Sequence, residues 1–182
     1  VREIRRDREH KLDVLINHMP SRFTELLKMV RRNMHALFDS SYPLVLTHDD
    51  PCKMNILIHP DTGHITGIID WTDPSIEPFG FALWGLENIL GYIDDSGWHY
   101  YAESDELRKL FWQTFENIVG SLNDVEIHNI QVARMLGILV GYGISWRHRA
   151  ESKPITDASP SMRYLDGFCL QTPCVLTKLY PS

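Results

Sequence analysis

Leu12, Leu15, Ile16 and Met19 recur at helical spacing near the start of the chain, and Pro20 closes that run. From about Ser21 a second helical stripe carries Phe23, Leu26, Leu27, Val30, Met34, Leu37 and Phe38, until Ser40 to Pro43 break it. The period then shortens. Leu44-Val45-Leu46, Asn55 to Ile58 and Ile65 to Ile69 are short β-type runs. The turn-forming stretch His59-Pro60-Asp61-Thr62-Gly63-His64 predicts a hairpin between the last two. Beyond Phe81 the helical period returns: Ala82, Leu86, Ile89, Leu90 and Ile93 mark one helix, with Gly97 in the loop after it. Ser104 as an N-cap, with Asp105 and Glu106 in the first turn, predicts a helix carrying Leu107, Leu110, Phe111, Phe115 and Ile118 that ends at Gly120. Asn123 is expected to cap a helix running through the apolar stretch from Val132 to Trp146, which must be buried on most sides. Ser159-Pro160 opens a last short helix through Leu170. The elements add up to a mainly α fold with a small β-hairpin near residues 44–70, an α+β arrangement.

Composition narrows the class without naming a function. A chain of 182 residues suits one domain with a substantial core. Its hydrophobic share of 43% and charged share of 23% exclude a disordered or fibrous protein. The stretch from Val132 to Trp146 is broken by Arg134 and three glycines and is shorter than the ~20 residues a bilayer requires, so no membrane span is expected. Charge is uneven: residues 1–32 hold nine basic and five acidic residues, a net of +4, and the remainder nine basic and 19 acidic, a net of −10. In the basic segment Glu3, Asp7, Glu9 and Asp13 alternate with the arginines, which reads as a solvated helix face laced by ion pairs four residues apart. An acidic body argues against nucleic acid and suits a cationic small molecule or a divalent metal. Cys52, Cys169 and Cys174 form no CxxC and no zinc spacing with the histidines. An odd cysteine count without a secretory apolar segment points to a reducing, cytoplasmic setting.

The polar residues that carry chemistry gather in the β region. Thr47-His48-Asp49-Asp50-Pro51-Cys52-Lys53-Met54-Asn55 lies between two apolar runs, and Asp70 ends the hydrophobic run Ile68-Ile69 just before Trp71. Loop aspartates and asparagines commonly make local turns. Here, however, a loop holding Asp50 and Asn55 beside a hairpin ending in Asp70 can converge three oxygen-bearing side chains, the hard donors Mg²⁺ takes.

His48, Asp50 and Asn55 match the H-x-D-x-x-x-x-N loop of the protein-kinase-like superfamily, with Asp70 in the place of its metal aspartate. The wording THDDPCKMNILIHPDTGHITGIIDW resembles the aminoglycoside phosphotransferase/choline kinase family, in particular its fungal-type members. The likeness extends through PLVLTHDD and EPFGFALWGLENILG and covers roughly residues 12–122. The resemblance implies ATP- and Mg²⁺-dependent phosphoryl transfer to the hydroxyl of a small-molecule substrate. It implies Asp50 as the catalytic base, Asn55 and Asp70 as the groups holding Mg²⁺ against the nucleotide phosphates, and His48 as a support beneath the loop. The acceptor would lie over the helices after residue 79, where Trp84, Glu87 and Tyr92 could meet a cation; aromatics at that spacing equally read as core.

The chain also departs from the family pattern. Asp49 stands where relatives commonly have glycine, Pro51-Cys52-Lys53-Met54 replaces a more frequent Leu-His-Pro-Gly, and Phe81 stands where many bacterial relatives carry an aspartate. Only 47 residues precede His48, they read as two helices and a strand, and no glycine occurs before Gly63. A kinase-like N-terminal lobe, with about five strands, needs on the order of 60–80 residues. Residues 1–182 are therefore expected to form a single kinase-like C-terminal lobe without an N-terminal lobe, with catalytic and metal loops at 44–73 and a helical subdomain at 79–182. Two other readings follow from that: a lobe repurposed for non-phosphoryl chemistry on a small metabolite, or a non-catalytic pseudokinase or binding module. Either could form a homodimer through the face an N-terminal lobe would cover.

Overall fold

The computed structural model describes residues 1–145 and 151–171. Trp146, at the end of the apolar stretch, and Cys174 lie outside the described residues. Helix α1 (Arg2–His18) buries Leu12 and Leu15 and ends before Met19 and Pro20. Its outer face carries the anticipated ion pairs, Arg5 with Glu9 and Lys11 with Asp7. Helix α2 (Thr24–Asn33) is entered by a 3₁₀ turn at Ser21–Phe23 and leaves by another at Met34–Phe38.

Both helices pack on α5 (Asp124–Gly143), whose sequence from Ile130 onward is almost continuously buried. Its start is set by Asn123: Asn123 Oδ1 accepts from Val125 N and Glu126 N, each at 3.0 Å, while Glu126 Oε2 accepts from Asn123 N at 2.8 Å. The core joins Leu12 and Leu15 of α1, Leu27 and Val30 of α2 and Leu136 and Leu139 of α5 to Leu165 and Phe168. Leu165 lies on α6 (Met162–Asp166), and the helical segment after Ser159-Pro160 begins there, two residues later than expected. Among the described residues no helix is long and apolar enough to cross a membrane.

The β structure is more extensive than one hairpin. Strands β2 (Ile56–Ile58) and β3 (Ile65–Ile68) form the expected antiparallel pair. Strand β1 (Leu44–Thr47) instead pairs antiparallel with β4 (Ser75–Pro78), which the apolar pattern did not mark. The reason is Glu77: it points inward, is 1% exposed, and is neutralised by Arg8 of α1. The Arg8 guanidinium also lies 5.0 Å from the centre of the Phe81 ring.

A second correction concerns the helix beyond Phe81. A 3₁₀ turn at Phe81–Leu83 leads into α3 (Trp84–Ile89), and the chain then turns into a hairpin of β5 (Gly91–Asp94) and β6 (Gly97–Tyr100). Leu90 and Ile93 fit a helical period, but a Cβ on Gly91 would fall 2.3 Å from the His99 carbonyl oxygen, so this glycine marks a close strand approach. The turn is fixed by the Asp94 carboxylate, which accepts from the Ser96 hydroxyl at 2.7 Å, from His99 Nε2 at 2.9 Å and from Ser96 N at 2.8 Å. Those bonds hold Asp94 at about 2. Helix α4 (Ser104–Val119) follows; Ser104 is its first residue rather than its cap, and Gly120 ends it at a φ of +98°.

Candidate active site

Strand β1 delivers His48 to the edge of the core, where it is 7% exposed and both ring nitrogens are used. Asp50 N donates to His48 Nδ1 at 3.0 Å. The other nitrogen, Nε2, lies 2.8 Å from the Ile69 carbonyl oxygen. Since Nδ1 accepts, Nε2 carries the proton and donates, which sets the tautomer. The ring meets Trp71 edge-on at 4.7 Å. One side chain thus binds the backbone of Asp50 and of the residue before Asp70.

Asn55 makes the second tie between these segments. It is 8% exposed, and its Nδ2 donates to the Asp50 carbonyl at 2.9 Å and reaches the Asp50 carboxylate at 3.4 Å. Ile69 N donates to the Asn55 carbonyl at 2.9 Å. Cys52 Sγ lies 3.5 Å from Asp50 Oδ2, and Cys52 N donates to Asp50 O at 2.8 Å. The Asp50 carboxylate is left exposed at the end of a loop whose backbone is held on three sides.

Asp70 follows β3 with a φ of +64°, left-handed backbone that a side-chain-bearing residue adopts at a cost. Its carboxylate accepts from the Thr72 hydroxyl. Asp70 and Asp50 line one cavity of about 560 Å³, together with Asp49, Thr72, Asp73, Trp84, Gly141, Tyr142 and Ser161. Four aspartates line this space. Tyr142 forms an aromatic wall with Trp84, edge-on at 5.4 Å, and stacks on Tyr164 at 4.8 Å. Burial, and then the neighbouring Tyr164, Asp50 and Cys52, push the Tyr142 phenol well above its ordinary range. It therefore stays protonated and accepts from Asn88 Nδ2 at 3.1 Å.

The oxygen donors a hard cation would take are the Asp70 carboxylate, which lines the cavity, and the amide oxygen of Asn55, whose nitrogen is turned to Asp50 and which is not among the lining residues. Among the described residues no three His, Cys, Asp or Glu side chains converge to hold an ion by themselves. A cation held here would need the rest of its ligands from water or a substrate.

The structure separates the three residues expected to meet the acceptor. Trp84 lines the cavity. Tyr92 stands outside it on β5, stacked on His99 at 5.1 Å. Glu87 is wholly buried, so it is closed to any acceptor in this fold. Arg134 Nη2 donates to its Oε1 at 2.6 Å, Arg108 Nη2 to Oε2 at 2.9 Å, and the Tyr100 hydroxyl to Oε2 at 2.9 Å. Burial alone would raise the Glu87 carboxyl, but Arg134 and Arg108 outweigh it and hold the group below its ordinary value. Asp73, Gly141 and Tyr142 escaped sequence reading; the last two belong to an apolar helix that reads uniformly as core, and only tertiary placement shows which face is open.

The family model described as phosphotransferase enzyme family matches residues 2–107, a span that includes His48, Asp50, Asn55 and Asp70. Comparison with curated proteins finds no match. Comparison with solved structures finds none.

Proposed function

The chain belongs to the phosphotransferase enzyme family, and from that premise we propose that it takes part in Mg-ATP-dependent transfer of a phosphoryl group to the hydroxyl of a small, cationic acceptor. The observation that carries this reading is that Asp50 and Asp70 open onto the same cavity from two loops tied together through His48 and Asn55. We read the described residues as the C-terminal lobe of a kinase-like fold.

Asp50 is placed to orient the acceptor hydroxyl and to take its proton as the oxygen bonds to the γ-phosphorus and the bond to the ADP oxygen breaks. Its backbone is held by His48 and Asn55, so the carboxylate keeps its direction without charge assistance from the loop. Asp70 and the Asn55 amide oxygen would hold Mg²⁺, which when bound neutralises phosphate charge. Asp49 and Asp73 add negative charge to the walls, and Trp84 and Tyr142 add π-faces, a lining that favours an amine-bearing acceptor.

Calorimetric titration with Mg-ATP tests the reading directly. Micromolar binding that is abolished in Asp70→Ala and retained in Asp50→Asn is the expected result. A folded chain that binds no nucleotide refutes phosphoryl transfer by these residues alone. In the same preparations Asp50→Asn should lower phosphoryl-transfer turnover about 10²–10⁴-fold.

A further inference from the structure

Helix α5 contains three glycines, Gly137, Gly141 and Gly143, and only the first and third are crowded by their neighbours. A Cβ on Gly137 would lie 1.8 Å from the Phe81 carbonyl oxygen, and one on Gly143 would lie 2.9 Å from Leu15 Cδ2. At Gly141 an added Cβ meets nothing within 4 Å. Its φ is not in the left-handed region, so the backbone does not call for glycine either. A glycine inside a helix destabilises it relative to alanine. Nothing in the packing of α5 explains why this position carries one.

What lies beside it does. Gly141 lines the cavity of about 560 Å³ that Asp50, Asp70, Trp84 and Tyr142 also line. It also lines a smaller adjoining cavity of about 90 Å³ bounded by Arg8, His48, Asp49 and Phe81. A methyl group here would meet open space.

Resting on the phosphotransferase reading above, we propose that Gly141 is a specificity-determining residue: its missing side chain sets the size of the acceptor accommodated in the cavity that Trp84 and Tyr142 line. The acceptors admitted are bulky around the cationic centre, and a larger residue at this position restricts them to slender ones.

The test uses the 182-residue chain with tetramethylammonium and tetrabutylammonium ions as rulers, their binding followed by ligand-observed NMR, and Mg-ATP titrated in parallel. Wild type is expected to bind both ions. Gly141→Leu should keep tetramethylammonium within about twofold and weaken tetrabutylammonium about tenfold or more. Equal loss for both ions, no loss for either, or a wild type that binds neither ion overturns the proposal. Gly141→Ala guards against a variant that fails to fold: its melting temperature should match or exceed wild type by about 2–4 °C, because the helix gains and nothing is crowded. A lower melting temperature would show that packing requires the glycine, and the proposal falls. Failure of the underlying reading shows separately, as absence of Mg-ATP binding by wild type.

Discussion

Replacing Glu87 by glutamine removes one negative charge and little volume from a fully buried position between two arginines. Arg108 and Arg134 are each 8% exposed, so the substitution leaves Arg134 facing a neutral amide and Arg108 with Asp105 as its remaining carboxylate partner. The contacts at stake are Arg134 Nη2 at 2.6 Å, Arg108 Nη2 at 2.9 Å and Nε at 3.2 Å, and the Tyr100 hydroxyl at 2.9 Å. Breaking a buried pair by removing one partner costs about 3–5 kcal/mol. At about 2–4 °C per kcal/mol for a chain of this size, the melting temperature should fall by about 6–20 °C. Urea unfolding followed by circular dichroism should show a midpoint lower by about 1.5–2.5 M, taking a slope of about 2 kcal/mol per molar.

The pH dependence adds a signed test. The Glu87 carboxyl is lowered in the folded state, so its contribution is fully present above its ordinary value of 4.5 and is lost as pH falls through the depressed folded value. The stability gap between wild type and Glu87→Gln should therefore be constant near neutrality and close only in acid, below about pH 4. A second variant in which Glu87, Arg108 and Arg134 all become apolar residues of similar volume should recover most of the loss, because burying no charge is cheaper than burying an unmatched one. A loss under about 1 kcal/mol for Glu87→Gln, or a triple variant no more stable than the single one, would refute the reasoning.

Asp70→Gly should raise stability by about 0.5–1 kcal/mol, since glycine adopts a φ of +64° without the Cβ penalty, while abolishing Mg-ATP binding; a lower melting temperature would contradict the strain assigned to Asp70. Gly137→Ala should destabilise by about 2 kcal/mol or more, because the new methyl carbon would fall 1.8 Å from a main-chain oxygen, and urea melts beside Gly141→Ala would show opposite signs for two glycines on one helix. Asn123→Ala should cost about 1 kcal/mol by exposing the first amides of α5, read as a lowered melting temperature with Mg-ATP affinity unchanged.

The long helices, the Asn123 cap, the β2–β3 hairpin and the His48-to-Asn55 loop were legible because each is written in contiguous residues. Strand β4 was not, because its inward residue is a glutamate whose neutralising partner, Arg8, lies 69 residues away. The β5–β6 hairpin was hidden by Leu90 and Ile93, whose spacing satisfies a helix as well as a strand entry, and only the crowding at Gly91 decides between them. Glu87, expected to meet a cationic acceptor, was misplaced because its partners too are distant in sequence. The arginines that bury it come 21 and 47 residues later, on α4 and α5. Tyr142 and Gly141 lay concealed in an apolar run, where residue type gives no clue to which turn of the helix meets empty space.

The ties that join the loop after β1 to the end of β3 run between the His48 ring, the Asn55 amide and main-chain groups, all of them uncharged. Dissolved ions screen separated charges but act little on short bonds of this kind. Added sodium chloride should thus weaken the capture of a charged ligand between Asp50 and Asp70 while leaving the hydrogen-exchange protection of Asp50 N and Ile69 N unaltered. The frame and the attraction it holds are mechanically distinct, so the same fixture can serve in dilute buffer and in brine with only its occupancy changed.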